Sequence, residues 1–283
     1  MNKNYIVKKN RIYPILRKFS QIAVTFVIVI LVLLISFIVI RGISNINLDF
    51  LWGEYNNTPS IKPAIIGTTI LIILTLSIAV PIGIGTSIYL VEYTKKDSKI
   101  LPFIHVTTET LAGIPSIVYG LFGYLFFVVY LGLGYSLIGG GLTLSIMILP
   151  SIISSVEENL LAVPNVYREG SYALGAGKTR TIFRVILPCA SRGIVTAVIL
   201  STGRIISESA VLLLTVGMVV NKVPNGIFSP GTTLALNVYF FGSHGYPEAG
   251  EGTAFILLIL IITINFISSS LGKIFYKGIG DHS

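Results

Sequence analysis

The sequence predicts an all-α integral membrane protein with six transmembrane helices, and three observations carry that prediction. Hydrophobic residues make up 53% of the 283 positions and charged residues only 11%, against roughly 45–50% and 25% in soluble domains. Charge-free intervals recur at lengths that hold a helix of about 20 residues, which is what a bilayer core of about 30 Å requires. Lysine and arginine collect in alternate connecting segments, as they do when one side of a membrane retains positive charge.

Each helix follows from its interval. Lys18 and Arg41 enclose 22 uncharged residues, Lys62 and Glu92 enclose 29, and Glu251 and Lys273 enclose 21. The first helix, about Phe19 to Ile40, is rich in Val, Ile and Leu without a stripe of small residues, so it is expected at the periphery, facing lipid. The second, about Ala64 to Tyr89, carries Gly67, Pro81, Gly83 and Gly85, and small residues let helices approach closely, which places it inside the bundle. Glu109 and Glu157 enclose 47 residues, enough for two helices if "LGLGYSLIGGG", Leu131 to Gly141, is the turn between them. The third helix contains "LAGIPSIVYGLFGYL", whose proline is tolerated in a membrane when neighbours satisfy the freed carbonyl. The fifth lies in the run from Gly193 to Asn221, interrupted only by Arg204 and Glu208.

Orientation follows from the loops. With both termini cytoplasmic, sixteen of the twenty Lys and Arg residues fall on the inside, and only Arg41, Lys62 and Lys222 outside. A multi-pass protein of the cell membrane, plasma or inner, is expected. The net charge of +8 then reflects topology and anionic lipid headgroups and not nucleic-acid binding. The first apolar run is too long for a secretory signal core and lacks a small-residue cleavage pattern, so it is expected to be retained. The single cysteine, Cys189, has no internal partner for a disulfide. Segments expected from this layout are a cytoplasmic tail at 1–18, a peripheral helix at 19–40, a membrane domain at 64–274 containing a long inside loop at 157–192, and a tail at 275–283.

That inside loop carries "ALGAGKTRTIF", whose Gly177-Lys178-Thr179 resembles the end of a phosphate-cradling nucleotide loop. Such a loop needs a glycine five residues before the second, between a strand and a helix. Tyr172 occupies that position. The loop is therefore not expected to bind nucleotide. Its small and apolar residues Ala173, Leu174, Ala176, Ile182 and Phe183 beside positive charge suit a short amphipathic helix offered to a groove in a soluble partner.

Arg204 and Glu208 are the charged residues inside a predicted span. A charge at the centre of a membrane helix costs about 2.5–3.5 kcal/mol on insertion scales, so it faces protein or water and has a partner. Their spacing of four places both on one helical face. Two readings follow: a self-contained ion pair that fixes packing, or an anion site built on a guanidinium fork that matches phosphate oxygens. An intramembrane enzyme finds little support. His105, His244 and His282 are scattered over loops and a tail, there is no HExxH, and Cys189 has no histidine near it in sequence. His105 reads as a solvated loop residue. A self-sufficient channel or secondary transporter fits six helices but leaves the inside loop without a task.

The same loop resembles the inner-membrane subunits of ATP-binding-cassette importers. Their cytoplasmic pattern is E-A-A, three residues, G, nine residues, I-x-L-P, and here Glu169, Gly175, Val185, Ile186, Leu187 and Pro188 stand at that spacing. Gly170 and Ser171 replace the alanine pair and Val185 the isoleucine. "GRIISESAVLLLTVG", Gly203 to Gly217, is similar to R-A-I-G-E-T-A-P-L-L-L-T-A-G of phosphate-importer permeases of the PstA type, with Ser207, Ser209 and Val211 as departures. "AVPIGIGTSIYLVEY" and "ETLAGIPSIVYGLFG" are similar to further blocks of that family, and the likeness runs from about Ala64 to Leu271.

The resemblance implies a type I ABC importer permease fold and a phosphate-importer subunit that is not itself an enzyme. It implies a second homologous permease, two ATPase subunits that hold the ATP and magnesium, an extracytoplasmic phosphate-binding protein, phosphate and membrane lipid as partners, with no cofactor in this chain. Arg204, Ser207, Glu208 and Ser209 would line the substrate path. Glu169, Ala173, Leu174, Gly175, Ala176, Gly177, Val185, Leu187 and Pro188 would form the loop that couples to an ATPase. A permease for sulfate or molybdate remains the alternative within the class.

Overall fold

The computed structural model describes residues 12–55, 58–95 and 98–280, and among them every regular element is helical. In chain order these are α1 (Ile12–Ile43), α2 (Leu48–Trp52), α3 (Lys62–Ile88), α4 (Ile100–Ala112), α5 (Ser116–Gly123) and α6 (Leu137–Leu161). There follow α7 (Asn165–Ala173), α8 (Lys178–Thr181), α9 (Leu187–Ser207), α10 (Ala210–Thr215), α11 (Leu234–Ser243) and α12 (Pro247–Gly280). Three wider, π-type segments extend them: Tyr89–Tyr93 after α3, Tyr124–Tyr130 after α5, and Ile182–Ile186 between α8 and α9. The last has a local cause. Pro188 cannot donate to the carbonyl four residues back and its ring crowds that turn, so the helix widens just before it.

Among the described residues five helices are long and apolar enough to cross a bilayer, and α4 with α5 and its extension make a sixth if the bent pair counts as one span. That pair meets at 95°, which corrects the expectation of a proline carried within one helix. Pro115 supplies no N–H to prolong α4 and steers Ile114 out of helical conformation, so the chain turns at Gly113–Pro115. The most apolar window of α1 buries nothing in this chain, and α1 packs against α12.

α3 and α6 run in the same direction at the centre. Ser145 Oγ donates to the Thr75 carbonyl at 3.2 Å and to that of Gly141 at 2.7 Å, and Ser87 Oγ donates to the Ile153 carbonyl at 2.9 Å. Hydroxyl bonds of this kind fasten helices where apolar surroundings offer no other partner. α9 runs the opposite way along α6. Leu71, Leu144, Ile148, Ile152, Ile194 and Ile205 form the core between the three, joined by Val211 and Leu212 of α10. A smaller cluster of Phe50, Ile61, Leu234 and Phe241 closes the end where α2, α11 and the start of α12 meet.

The turn expected from Leu131 to Gly141 is shorter than predicted. It ends at Ser136, whose Oγ accepts the Gly139 N–H at 3.3 Å and caps α6. Gly140 and Gly141 belong to the helix instead, because a Cβ there would collide with Val216 and Leu74. These glycines serve close approach and not chain reversal.

Candidate functional site

The motif-bearing segment forms an exposed helical hairpin. α7 buries no residue in this chain, and Val166, Tyr167, Tyr172 and Leu174 are all exposed, Leu174 to 90%. Gly175 stops α7 with φ +77°, a left-handed conformation that favours glycine. Its N–H bonds the Tyr172 carbonyl at 2.9 Å and the Ala176 N–H bonds that of Ser171 at 3.1 Å, the two bonds of a Schellman cap. The motif glycine is thereby explained by backbone geometry. Ser171, which replaces an alanine of the motif, shares a hydrogen bond of 2.9 Å with Thr181 Oγ1 and ties α7 to α8.

Predicted coupling residues fall into two groups. Glu169, Ala173, Leu174, Gly175 and Gly177 are exposed, with Ala176 half-buried. Val185 and Leu187 instead pack against the core beside fully buried Ile186, so they root α9, while Pro188 is exposed. Gly177 precedes the four-residue α8 and follows a turn, with no strand before it. Lys178 places its ammonium 4.6 Å from the centroid of the Tyr93 ring, a cation–π contact.

Sequence reasoning missed the most connected side chain of this region. Arg168, on α7, donates from Nε to Glu92 Oε1 at 3.0 Å, from Nη1 to the Val163 carbonyl at 2.8 Å, and from Nη2 to the Leu160 carbonyl at 3.0 Å. Nη2 also lies 2.9 Å from Glu92 Oε1, and the side chains are 14% and 6% exposed. At that burial, removing one partner leaves an uncompensated charge, a loss of about 3–5 kcal/mol. One guanidinium thus joins α7, the end of α6 and the wide turn that ends α3. The available signal was a charge, Glu92, at the very edge of a long uncharged interval. His105 also departs from expectation. It sits on α4, not in a loop, and its Nε2 lies 2.9 Å from Glu157 Oε1 on α6.

Arg204 and Glu208 are not paired as their spacing suggested. α9 ends at Ser207, and Glu208 takes extended backbone angles, φ −78° and ψ 129°. Its Oε1 accepts the N–H groups of Ala210 at 3.1 Å and Val211 at 3.3 Å, capping α10. Arg204 is exposed and donates from Nη1 to Ser151 Oγ on α6 at 3.0 Å. The spacing argument failed because it assumed an unbroken helix. Ser207 Oγ bonds the Gly203 carbonyl at 2.9 Å, and the Ser209 carbonyl accepts from Leu213 at 2.9 Å at the start of α10. What the structure brings together is therefore a helix break bearing one uncovered guanidinium and a capping carboxylate.

Other features do not compete. A recess of about 540 Å³ is lined by Asn45, Asn47, Asp49, Tyr246 and Glu248, and its carboxylates would repel an anion. Among the described residues no three His, Cys, Asp or Glu side chains gather as a metal site.

The bundle, which exposes a capped hairpin at one end and a charged helix break on one face, has the fold of a type I ABC importer permease. The chain belongs to the family of binding-protein-dependent transport system inner membrane components, whose model matches residues 79–281. Among relatives, the "Probable ABC transporter permease protein YqgI" of Bacillus subtilis strain 168 is 32% identical over 267 residues, 88% of this chain and 90% of its own. The phosphate transport system permease protein PstA of Mycobacterium leprae is 35% identical over 230 residues, 78% of this chain and 71% of its own. In fold, the chain is similar to an inward-facing form of the MetNI methionine ABC transporter, with a TM-score of 0.61 and 21% identity over 75% of this chain and 96% of that one. The chain is thus a multi-pass membrane component of a transport system and not an enzyme, and its family implies ATPase, binding-protein and permease partners.

Proposed function

We propose that this chain is a transmembrane subunit of an ATP-driven inorganic phosphate importer. The observation that carries the reading is Arg204, a guanidinium uncovered in the single chain at the break between α9 and α10. Lipid is no place for that group, so a second, homologous permease is proposed to cover it across a polar path. Likeness to PstA proteins supports phosphate as the ion. Arg204 would take the anion bidentately while Ser151 steers the guanidinium. Glu208 would hold α10 in place with one oxygen, and its other oxygen would accept a hydrogen bond from a protonated phosphate oxygen, a donor that sulfate lacks. Ser207 and Ser209 would flank the path.

In this reading both termini are cytoplasmic, residues 64–274 form the permease domain, and α7 with its turn seats on one of two ATPase subunits, which alone carry ATP and magnesium. An extracytoplasmic phosphate-binding protein delivers the ion at the opposite end. ATP binding closes the ATPases and rocks the bundle between its two orientations.

The test is ATP-dependent uptake of labelled phosphate into vesicles carrying the reconstituted complex, with excess sulfate as competitor. Sulfate-resistant uptake that disappears in Arg204→Gln is expected. Uptake blocked by sulfate would move the substrate to a broader oxyanion class, and ATP-independent uptake would remove the importer reading.

A further inference from the structure

We infer that the end of α3, at Glu92 and Tyr93, is the element the coupling hairpin grips, with Arg168 and Glu92 acting as positioning residues that transmit its movement into the bundle. The inference rests on the proposal that α7 seats on an ATPase.

Two independent contacts carry it. Arg168 reaches from α7 to Glu92, and Lys178 reaches from α8 to the ring of Tyr93, the next residue along. The two halves of the hairpin are locked together by the Ser171–Thr181 hydrogen bond. A load on α7 is therefore delivered to two consecutive residues of one turn and not to a single flexible side chain. The same guanidinium holds the carbonyls of Leu160 and Val163 at the end of α6. α7 cannot shift without either drawing the ends of α3 and α6 with it or breaking charge-assisted hydrogen bonds in a nearly solvent-free setting.

The gripped turn suits the task. Tyr89–Tyr93 is a π-type segment, wider than the helix it terminates, and Thr94 N–H closes it on the Tyr89 carbonyl at 3.1 Å. Above it, α3 packs along α6 through Gly83, Ser87 and Thr75, so displacement of its tip passes to the helix pair at the centre of the bundle. Arg204 bonds Ser151 on that same α6. The grip and the anion group thus share one helix.

The experiment uses the complete complex in vesicles and reads two rates separately, ATP hydrolysed and phosphate taken up, for unaltered protein, Glu92→Leu, Arg168→Gln and the double variant. Uptake per ATP is expected to fall about fivefold or more in each single variant while hydrolysis persists. The double variant should be no worse than Arg168→Gln alone, because both changes cut one link. Glu92→Leu is close in size, removes the acceptor and leaves the bonds of Arg168 to Leu160 and Val163 in place, so it decides the matter if Arg168→Gln fails to assemble. An unchanged ratio in Glu92→Leu, whatever the absolute rates, would overturn the grip. Absence of ATP-driven uptake by the unaltered complex would overturn the importer reading first, and the grip with it.

Discussion

Arg204 donates its hydrogen bond to Ser151 on a neighbouring helix, 53 residues away in sequence, and not to Glu208 four residues along its own chain. The two charges therefore hold separate posts. Arg204 is steered by α6, and Glu208 secures the start of α10.

That division predicts different phenotypes at the two ends of the bond. Arg204→Gln should abolish phosphate uptake while the complex still assembles. Ser151→Ala removes one hydrogen bond, a loss of order 1 kcal/mol, and should raise the half-saturating phosphate concentration by roughly three- to tenfold. Uptake titrations on both variants check this, and unaltered affinity in Ser151→Ala would mean that the serine does not steer the arginine.

Glu208 behaves as a capping residue in geometry, so its removal should register first as stability. Glu208→Ala is expected to cost about 1 kcal/mol, the usual loss when a helix loses its N-terminal cap. Glu208→Gln keeps an acceptor oxygen and should stay close to the unaltered protein in melting temperature. Thermal unfolding of both in detergent separates them.

The left-handed Gly175 makes a third prediction. Gly175→Ala places a Cβ where φ is +77°, at a cost of order 1 kcal/mol, and should fray the end of α7. Co-purification with ATPase subunits should weaken while the transmembrane bundle keeps its melting temperature. Normal recovery of ATPase would show that the hairpin does not need its cap.

Packing at the centre can be tested by size. Gly141→Ala drives a Cβ into Leu74, an overpacking cost of about 1–3 kcal/mol. Leu74→Ala in the same chain should recover part of the lost stability, since the two changes meet at one contact. Equal, additive losses in the unfolding temperature would contradict the close approach of α3 and α6.

How much of this was legible beforehand depends on whether a feature is local. The apolar segments follow from composition and spacing, whereas the amphipathic helix expected over Ala173 to Phe183 is instead the end of α7, a glycine turn and the four-residue α8. The bend at Gly113–Pro115 and the break at Glu208 were hidden for opposite reasons. The proline was seen but given the tolerance that membrane helices allow, and the glutamate was read with helical geometry it does not have. Arg168 counts for topology alone in the sequence, because its partner Glu92 lies 76 residues away on a segment whose approach no sequence pattern announces. Gly140 and Gly141 looked like a turn because glycine signals both reversal and contact, and only the neighbours Val216 and Leu74 tell which.

One helix stands apart from all these constraints. Across the most apolar window of α1 no residue is buried in this chain. Selection acting through internal fit therefore has little hold on Val27, Ile30 or Leu33 beyond oiliness and length. Across descendants of a common ancestor, this stretch should exchange Val, Ile and Leu freely, and genealogies of the family are better drawn from the helices around Ser145 and Arg168, where each replacement disturbs a neighbour.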